Sequence, residues 1–133
     1  MAACSNGVEI EITAAGPAVV EADPLGLDQA LFNLLDNAIR YADQRVEVVV
    51  TDSVQRMEIL VRDDGPGFPA ELRESAFDRF VRADRDRRGT GLGLSIVAAV
   101  AEAHGGAVGL RNRSAGGAEV WISLPRTEAN WGF

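Results

Sequence analysis

The chain has 133 residues, 47% hydrophobic and 25% charged, and a formal net charge of −7. This length suits one domain with a single core, and the acidic balance, with no basic tail or patch, argues against nucleic acid as a partner. All thirteen basic residues are arginines, which excludes chemistries that rest on a lysine: phosphate-loop NTPases of the Gly-x-x-x-x-Gly-Lys type, eukaryotic-type protein kinases and Schiff-base enzymes. The Gly-x-Gly-x-x-Gly dinucleotide fingerprint is also missing. Without a run of eighteen apolar residues or a signal-like start, the sequence reads as a soluble chain. Its one cysteine, Cys4, cannot form an internal disulfide, which fits a reducing compartment. Met1 to Cys4 resembles the end of a lipoprotein signal with no apolar segment before it, and reads as an incidental terminus.

Val8 to Thr13 alternates apolar and polar residues, as a half-buried strand does, and Ala18 to Ala22 reads as a short second strand after Gly16-Pro17. Asp23-Pro24 starts a helix well: the aspartate can cap free N–H groups and the proline sits at the first helical position. The helix is expected to run to about Ala42. Leu27, Leu31, Leu34, Leu35, Ala38 and Ala42 share a stripe about 100° wide, as a core-facing helix needs. Asn33, Asn37 and Arg40 cluster on a neighbouring face, with Tyr41 at the boundary. These residues read as a solvated polar face or as a site: amide oxygens for a hard cation, with Arg40 placed for phosphate.

Two strands follow, Val46 to Thr51 and Met57 to Asp63, joined by a polar turn. Met57, Ile59, Val61 and Asp63 share one face, so Asp63 ends its strand on the core side. A carboxylate aimed there needs a donor, from the protein or from a ligand such as the amino group of a base. Gly65-Pro66-Gly67 can bring backbone against a flat ligand, although Asp63 to Gly67 is also a good surface turn. Pro69 to Glu74 reads as a short helical turn. Phe77 and Phe80 read as a hydrophobic anchor, and the charged segment Val81 to Arg88 as a mobile lid or a solvated loop.

Gly89-Thr90-Gly91-Leu92-Gly93-Leu94 then leads into a helix expected from Leu92 to His104. Glycines before a helix's first turn leave its free N–H groups open to a polyphosphate, though a flexible glycine loop has the same composition. Gly105-Gly106 ends this helix, and His104, the only histidine, reads as a capping residue in its last turn. Ala107 to Arg113 and Ala118 to Pro125 form a closing hairpin. The tail from Thr127, with Trp131 and Phe133, reads as frayed, so the domain is expected over residues 1–126 with a tail over 127–133.

Asn33 to Tyr41, Asp63 to Gly67, Phe77 to Phe80 and Gly89 to Leu94, in that order, resemble the N, G1, F and G2 boxes of the catalytic and ATP-binding domain of bacterial sensor histidine kinases. The resemblance spans about Val8 to Pro125. It implies the Bergerat ATP-binding fold, an α/β sandwich with a mixed, mostly antiparallel sheet of about five strands on three helices. The cofactors it implies are ATP and Mg²⁺. Carried over to this chain, Asp63 would accept the adenine amino group and Tyr41 would lie against the base, beside Gly65 and Gly67. Asn37 would ligate Mg²⁺ and Asn33 would support the phosphate or metal shell. Arg40 and Arg82 would contact phosphates, Gly89, Thr90, Gly91, Leu92 and Gly93 would supply N–H donors, and Phe77 and Phe80 would anchor the lid. Val81, where an aromatic is frequent, and a short lid depart from the family pattern.

In the ATPases of this superfamily and in the anti-sigma-factor serine kinases, the position of Asn33 holds a glutamate general base. An amide cannot take a proton at neutral pH. The resemblance therefore implies γ-phosphoryl transfer to a histidine, with Asn33 and Arg82 nearest the reaction. That histidine belongs to a helical hairpin that also dimerises, so the chain is expected to be a monomeric catalytic domain lacking its acceptor. It would act indirectly on a response regulator, as the cytoplasmic part of a kinase anchored in the bacterial inner membrane. A related ATPase, a serine kinase and a nucleotide-binding module without catalysis are the alternatives.

Overall fold

The computed structural model describes residues 2–5, 7–14, 23–73, 75–78 and 93–125. The expected strand at Ala18 to Ala22, the segment from Phe80 to Leu92 and the tail from Thr127 lie outside the described residues. Six strands and three helices are described: β1 Ala2–Ser5, β2 Val8–Ala14, α1 Pro24–Tyr41, β3 Arg45–Asp52, β4 Arg56–Asp63, α2 Ala70–Arg73, α3 Gly93–Ala103, β5 Ala107–Asn112 and β6 Ala118–Pro125. The strands form one sheet in the order β1-β2-β3-β4-β6-β5. The β2–β3 pair is parallel and the other four are antiparallel. This is a mixed α/β sandwich. Ala2–Ser5 forms an edge strand that the sequence reading did not expect; four small residues without alternation give no period to read.

The helix start follows the expected chemistry. Asp23 accepts the Gly26 N–H at 3.2 Å, and Pro24 occupies the first turn. Leu34 and Ala38 on α1 pack with Val97 and Ala101 on α3 in one core over the sheet. Along β4 the inward residues Met57, Ile59, Val61 and Asp63 are all buried, so the period of two holds to the strand's last residue. At the end of α3 the Gly106 N–H returns to Ala101 and the Gly105 N–H to Glu102, closing a Schellman turn. His104 joins the helix ends: its Nδ1 lies 2.7 Å from the Val100 carbonyl, and the Asp23 N–H donates to its Nε2 at 2.9 Å.

The sheet's outer face carries a charge row. Glu47, Arg62, Glu119 and Arg111 stand opposite one another on β3, β4, β6 and β5. Glu119 is buried and accepts Arg62 Nε at 2.6 Å and Arg111 Nε at 2.9 Å. Burial alone would raise its carboxyl, but the hydrogen bond and charge of Arg62, reinforced by Arg111, outweigh it and hold the group below its ordinary range. A carboxyl depressed by folding adds stability above its unfolded value and loses it as pH falls through the folded one. Glu119→Ala should therefore cost about 1–3 kcal/mol in urea unfolding at pH 7, and the deficit should narrow once pH drops below 4.5, the ordinary glutamate value.

Candidate functional site

The end of β4 meets the end of α1 and the start of β6 at an open cleft lined by Asn37, Tyr41, Asp63, Gly67, Phe68 and Ala118. Asn33, Asn37 and Tyr41 are spaced by four, so α1 stacks them along one edge. Asn37 and Tyr41 reach the cleft itself. Asn33 lies one turn further toward the start of the helix: its Nδ2 donates to the Gln29 carbonyl at 2.8 Å. Its Oδ1 is 3.3 Å from where a Cβ on Gly93 would stand, so the amide faces the first residue of α3. Two motifs 60 residues apart thus meet.

Asp63 is 3% exposed. Its Oδ1 accepts the Gly65 N–H at 2.9 Å and the Ala118 N–H at 3.3 Å. Both bonds fall on one oxygen, and among the described residues none is made by Oδ2. Burial pushes the carboxyl above its ordinary value, more than the two N–H bonds lower it. The turn after it is tightly set. A Cβ at Gly65 would overlap the Tyr41 carbonyl, and Gly67 has φ +81° with Asn112 Oδ1 against the space a Cβ would fill.

Asp64 points away from the cleft and does a different job. Its Oδ1 accepts the N–H groups of Asp43 at 2.9 Å, Gln44 at 3.0 Å and Arg45 at 3.1 Å, binding the loop after Tyr41 to the end of β4. Partial burial raises this carboxyl, but the main-chain donors outweigh that and hold it below its ordinary range.

The structure brings Asn37, Tyr41, Asp63 and Gly67 together at the cleft, with Gly65 against Asp63 and the Tyr41 carbonyl, and Asn33 against Gly93. Arg40 is not among the cleft's lining residues; its Nε donates to Asp36 at 2.9 Å. That is an i,i+4 pair of the weak surface kind. Phe80, Arg82, Gly89, Thr90, Gly91 and Leu92 lie outside the described residues. Sequence reasoning missed Ala118, whose contribution is a main-chain N–H. It also missed Asn112 and Asp64, whose partners lie 44 and about 20 residues away.

The profile of the histidine kinase-, DNA gyrase B- and HSP90-like ATPase family matches residues 22–128. The chain is 43% identical over 123 residues to the sensor histidine kinase component HK1 of Mycobacterium tuberculosis, covering 91% of this chain and 73% of that protein. It is 45% identical over 103 residues to the sensor protein RstB of Escherichia coli, covering 74% of this chain but only 24% of that protein. The mycobacterial sensor histidine kinase MprB superposes with TM-score 0.81 at 35% identity, over 90% of this chain and 84% of that one. Full-length ShkA in complex with AMPPNP superposes with TM-score 0.78 at 34% identity, over 90% of this chain and 26% of that one. The chain belongs to the histidine kinase-, DNA gyrase B- and HSP90-like ATPase family. Within it, the chain is an ATP-binding catalytic domain of the sensor histidine kinase kind.

The neighbouring aspartates should respond oppositely to loss of charge. A carboxyl raised by folding makes stability fall as pH climbs from its unfolded to its folded value, whereas a depressed one makes stability rise. In the ligand-free chain at pH 7, Asp63→Asn should raise the melting temperature and Asp64→Asn should lower it. Calorimetric melting of the two variants beside the parent checks both signs.

Proposed function

We propose that the chain binds Mg-ATP in this cleft and transfers the γ-phosphoryl group to a histidine on a dimerisation and phosphoacceptor hairpin of its own full-length kinase, which then serves a response regulator. The observation that carries the reading is the buried Asp63 carboxylate in the cleft wall, with one oxygen taken by main-chain donors and no bond to the other among the described residues. An ionised acceptor held in an apolar wall suits the exocyclic amine of adenine. Tyr41 supplies a ring for the base to lie against.

Asn37 fits a magnesium site. The ion takes few protein ligands and completes its octahedron with water and substrate phosphates. Among the described residues no three His, Cys, Asp or Glu side chains come together to hold a metal, so the described residues offer it an amide oxygen and the nucleotide fills much of the shell. When bound, the cation neutralises charge on the β and γ oxygens. Gly93 and Leu94 open α3 beside Asn33, and the positive end of a helix suits the same phosphates. The family resemblance assigns Arg40, Arg82 and the Gly89 to Leu92 run to phosphate contact and Phe80 to anchoring beside them.

The chemistry follows from Asn33. Its amide cannot accept a proton from water or a serine hydroxyl, whereas a neutral imidazole nitrogen is already a nucleophile. In the proposed step a P–N bond forms as the bond from Pγ to the ADP oxygen breaks in line, and the imidazole proton leaves to a base outside this site. The chain contributes position and charge. His104 is a poor acceptor, because one ring nitrogen receives the Asp23 N–H and the other lies against the Val100 carbonyl. No helix among the described residues is long and apolar enough to cross a membrane; anchoring of the full-length kinase in the inner membrane is part of the proposal.

Saturating ATP with Mg²⁺, at about 100 times Kd, should stabilise the parent by about 2.7 kcal/mol, and Asp63→Asn should abolish the thermal shift. With γ-labelled ATP, acid-labile and base-stable label should appear on an added cognate hairpin and not on the chain itself. Steady phosphate release without an acceptor would instead indicate an ATPase.

A further inference from the structure

One wall of the cleft is held by a residue outside all four motifs. Asn112, the last residue of β5, turns its amide onto the loop that follows β4. The Phe68 N–H donates to Asn112 Oδ1 at 2.8 Å, and Asn112 Nδ2 donates to the Phe68 carbonyl at 2.8 Å. Both polar groups of one backbone residue are thereby satisfied by one side chain. An aspartate would keep the acceptor and lose the donor, and an alanine would lose both. The clamp also bears on Gly67, whose missing Cβ would stand 2.8 Å from Asn112 Oδ1.

The residues so held face the base pocket. Gly67 and Phe68 line the same cleft as Asp63 and Ala118. The β5–β6 hairpin therefore grips this end of the cleft twice. Ala118 fixes the Asp63 carboxylate through its main chain, and Asn112 fixes the opposing loop through its side chain. Arg113, next in sequence, adds a contact from Nη1 to the Asp63 carbonyl at 3.4 Å.

We propose that Asn112 is a positioning residue that sets selectivity for 6-aminopurine nucleotides, by holding the Gly67–Phe68 backbone at a fixed separation from the Asp63 carboxylate. This rests on the reading of the cleft as the base site. A hydrogen bond from an exocyclic amine to a carboxylate depends steeply on distance and angle. Once the clamp is released, the loop can move and the base is no longer held against Asp63. Stacking and phosphate contacts, which serve every purine nucleotide alike, are left in place.

The test is calorimetric titration of the full chain with ADP and with IDP, whose base carries a 6-oxo group where adenine has the amine. The parent should prefer ADP. Asn112→Ala should weaken ADP binding about tenfold, the equivalent of about 1.4 kcal/mol, and change IDP binding less than threefold, so that the ADP-to-IDP preference contracts. Ser53→Ala, at the β3–β4 turn, is the control for a merely structural effect: it should leave the preference unchanged. Should Asn112→Ala not fold, Asn112→Asp, which keeps the acceptor for the Phe68 N–H and loses the donor, carries the same test. A preference within twofold of the parent's in the folded variant overturns the role of Asn112 and leaves the nucleotide site standing. A parent that binds neither nucleotide overturns the base-site reading and this role together.

Discussion

A carboxylate buried at the end of a central strand is the constraint on which this domain depends. Asp63 stands on the core side of β4 because the strand's alternation runs unbroken from Met57. A charge in that position is costly unless donors meet it. The Gly65 and Ala118 N–H groups meet one oxygen, and this requires the chain to turn sharply after β4 and β6 to begin alongside. Gly65 allows the turn because its bare Cα lies against the Tyr41 carbonyl. The ends of α1, β4 and β6 are thus locked together around one side chain.

Two further side chains act as struts. Asp64 gathers three consecutive N–H groups and ties the end of α1 to β4. Asn112 ties the following loop to β5. Neither adds much to the apolar core; both define where its open edge lies. Across the cleft, the Asn33 amide faces the opening turn of α3. The wall and the helix start that the proposed reading gives to base and phosphates are held on one scaffold. The replacement of a carboxylate by an amide at position 33 directs the proposed chemistry away from hydrolysis.

Periodic features were legible in the sequence. The alternation in β4 and the stripe on α1 come from burial on one face, and burial leaves a period in the chain. The Asp23-Pro24 start and the Gly105 stop were legible because capping chemistry is local. The phase of Asp63 was legible for the same reason, and it pointed to the site. What stayed hidden is non-local. The bonds from Phe68 to Asn112 and from Ala118 to Asp63 span 44 and 55 residues, and an amide at a strand's end looks like any solvated residue. β1 was missed because Ala2 to Ser5 has no alternation and gains its place only by pairing with β2.

The proposed contact between Asp63 and the base is the most exposed to test. A crystal structure of the chain with a non-hydrolysable ATP analogue and Mg²⁺ measures it. The expected result is the exocyclic amine within about 2.7–3.2 Å of Asp63 Oδ2, with the ring against Tyr41 and an Asn37 oxygen on the metal. A nucleotide bound with its base away from Asp63, or with Asn37 turned from the metal, would contradict it.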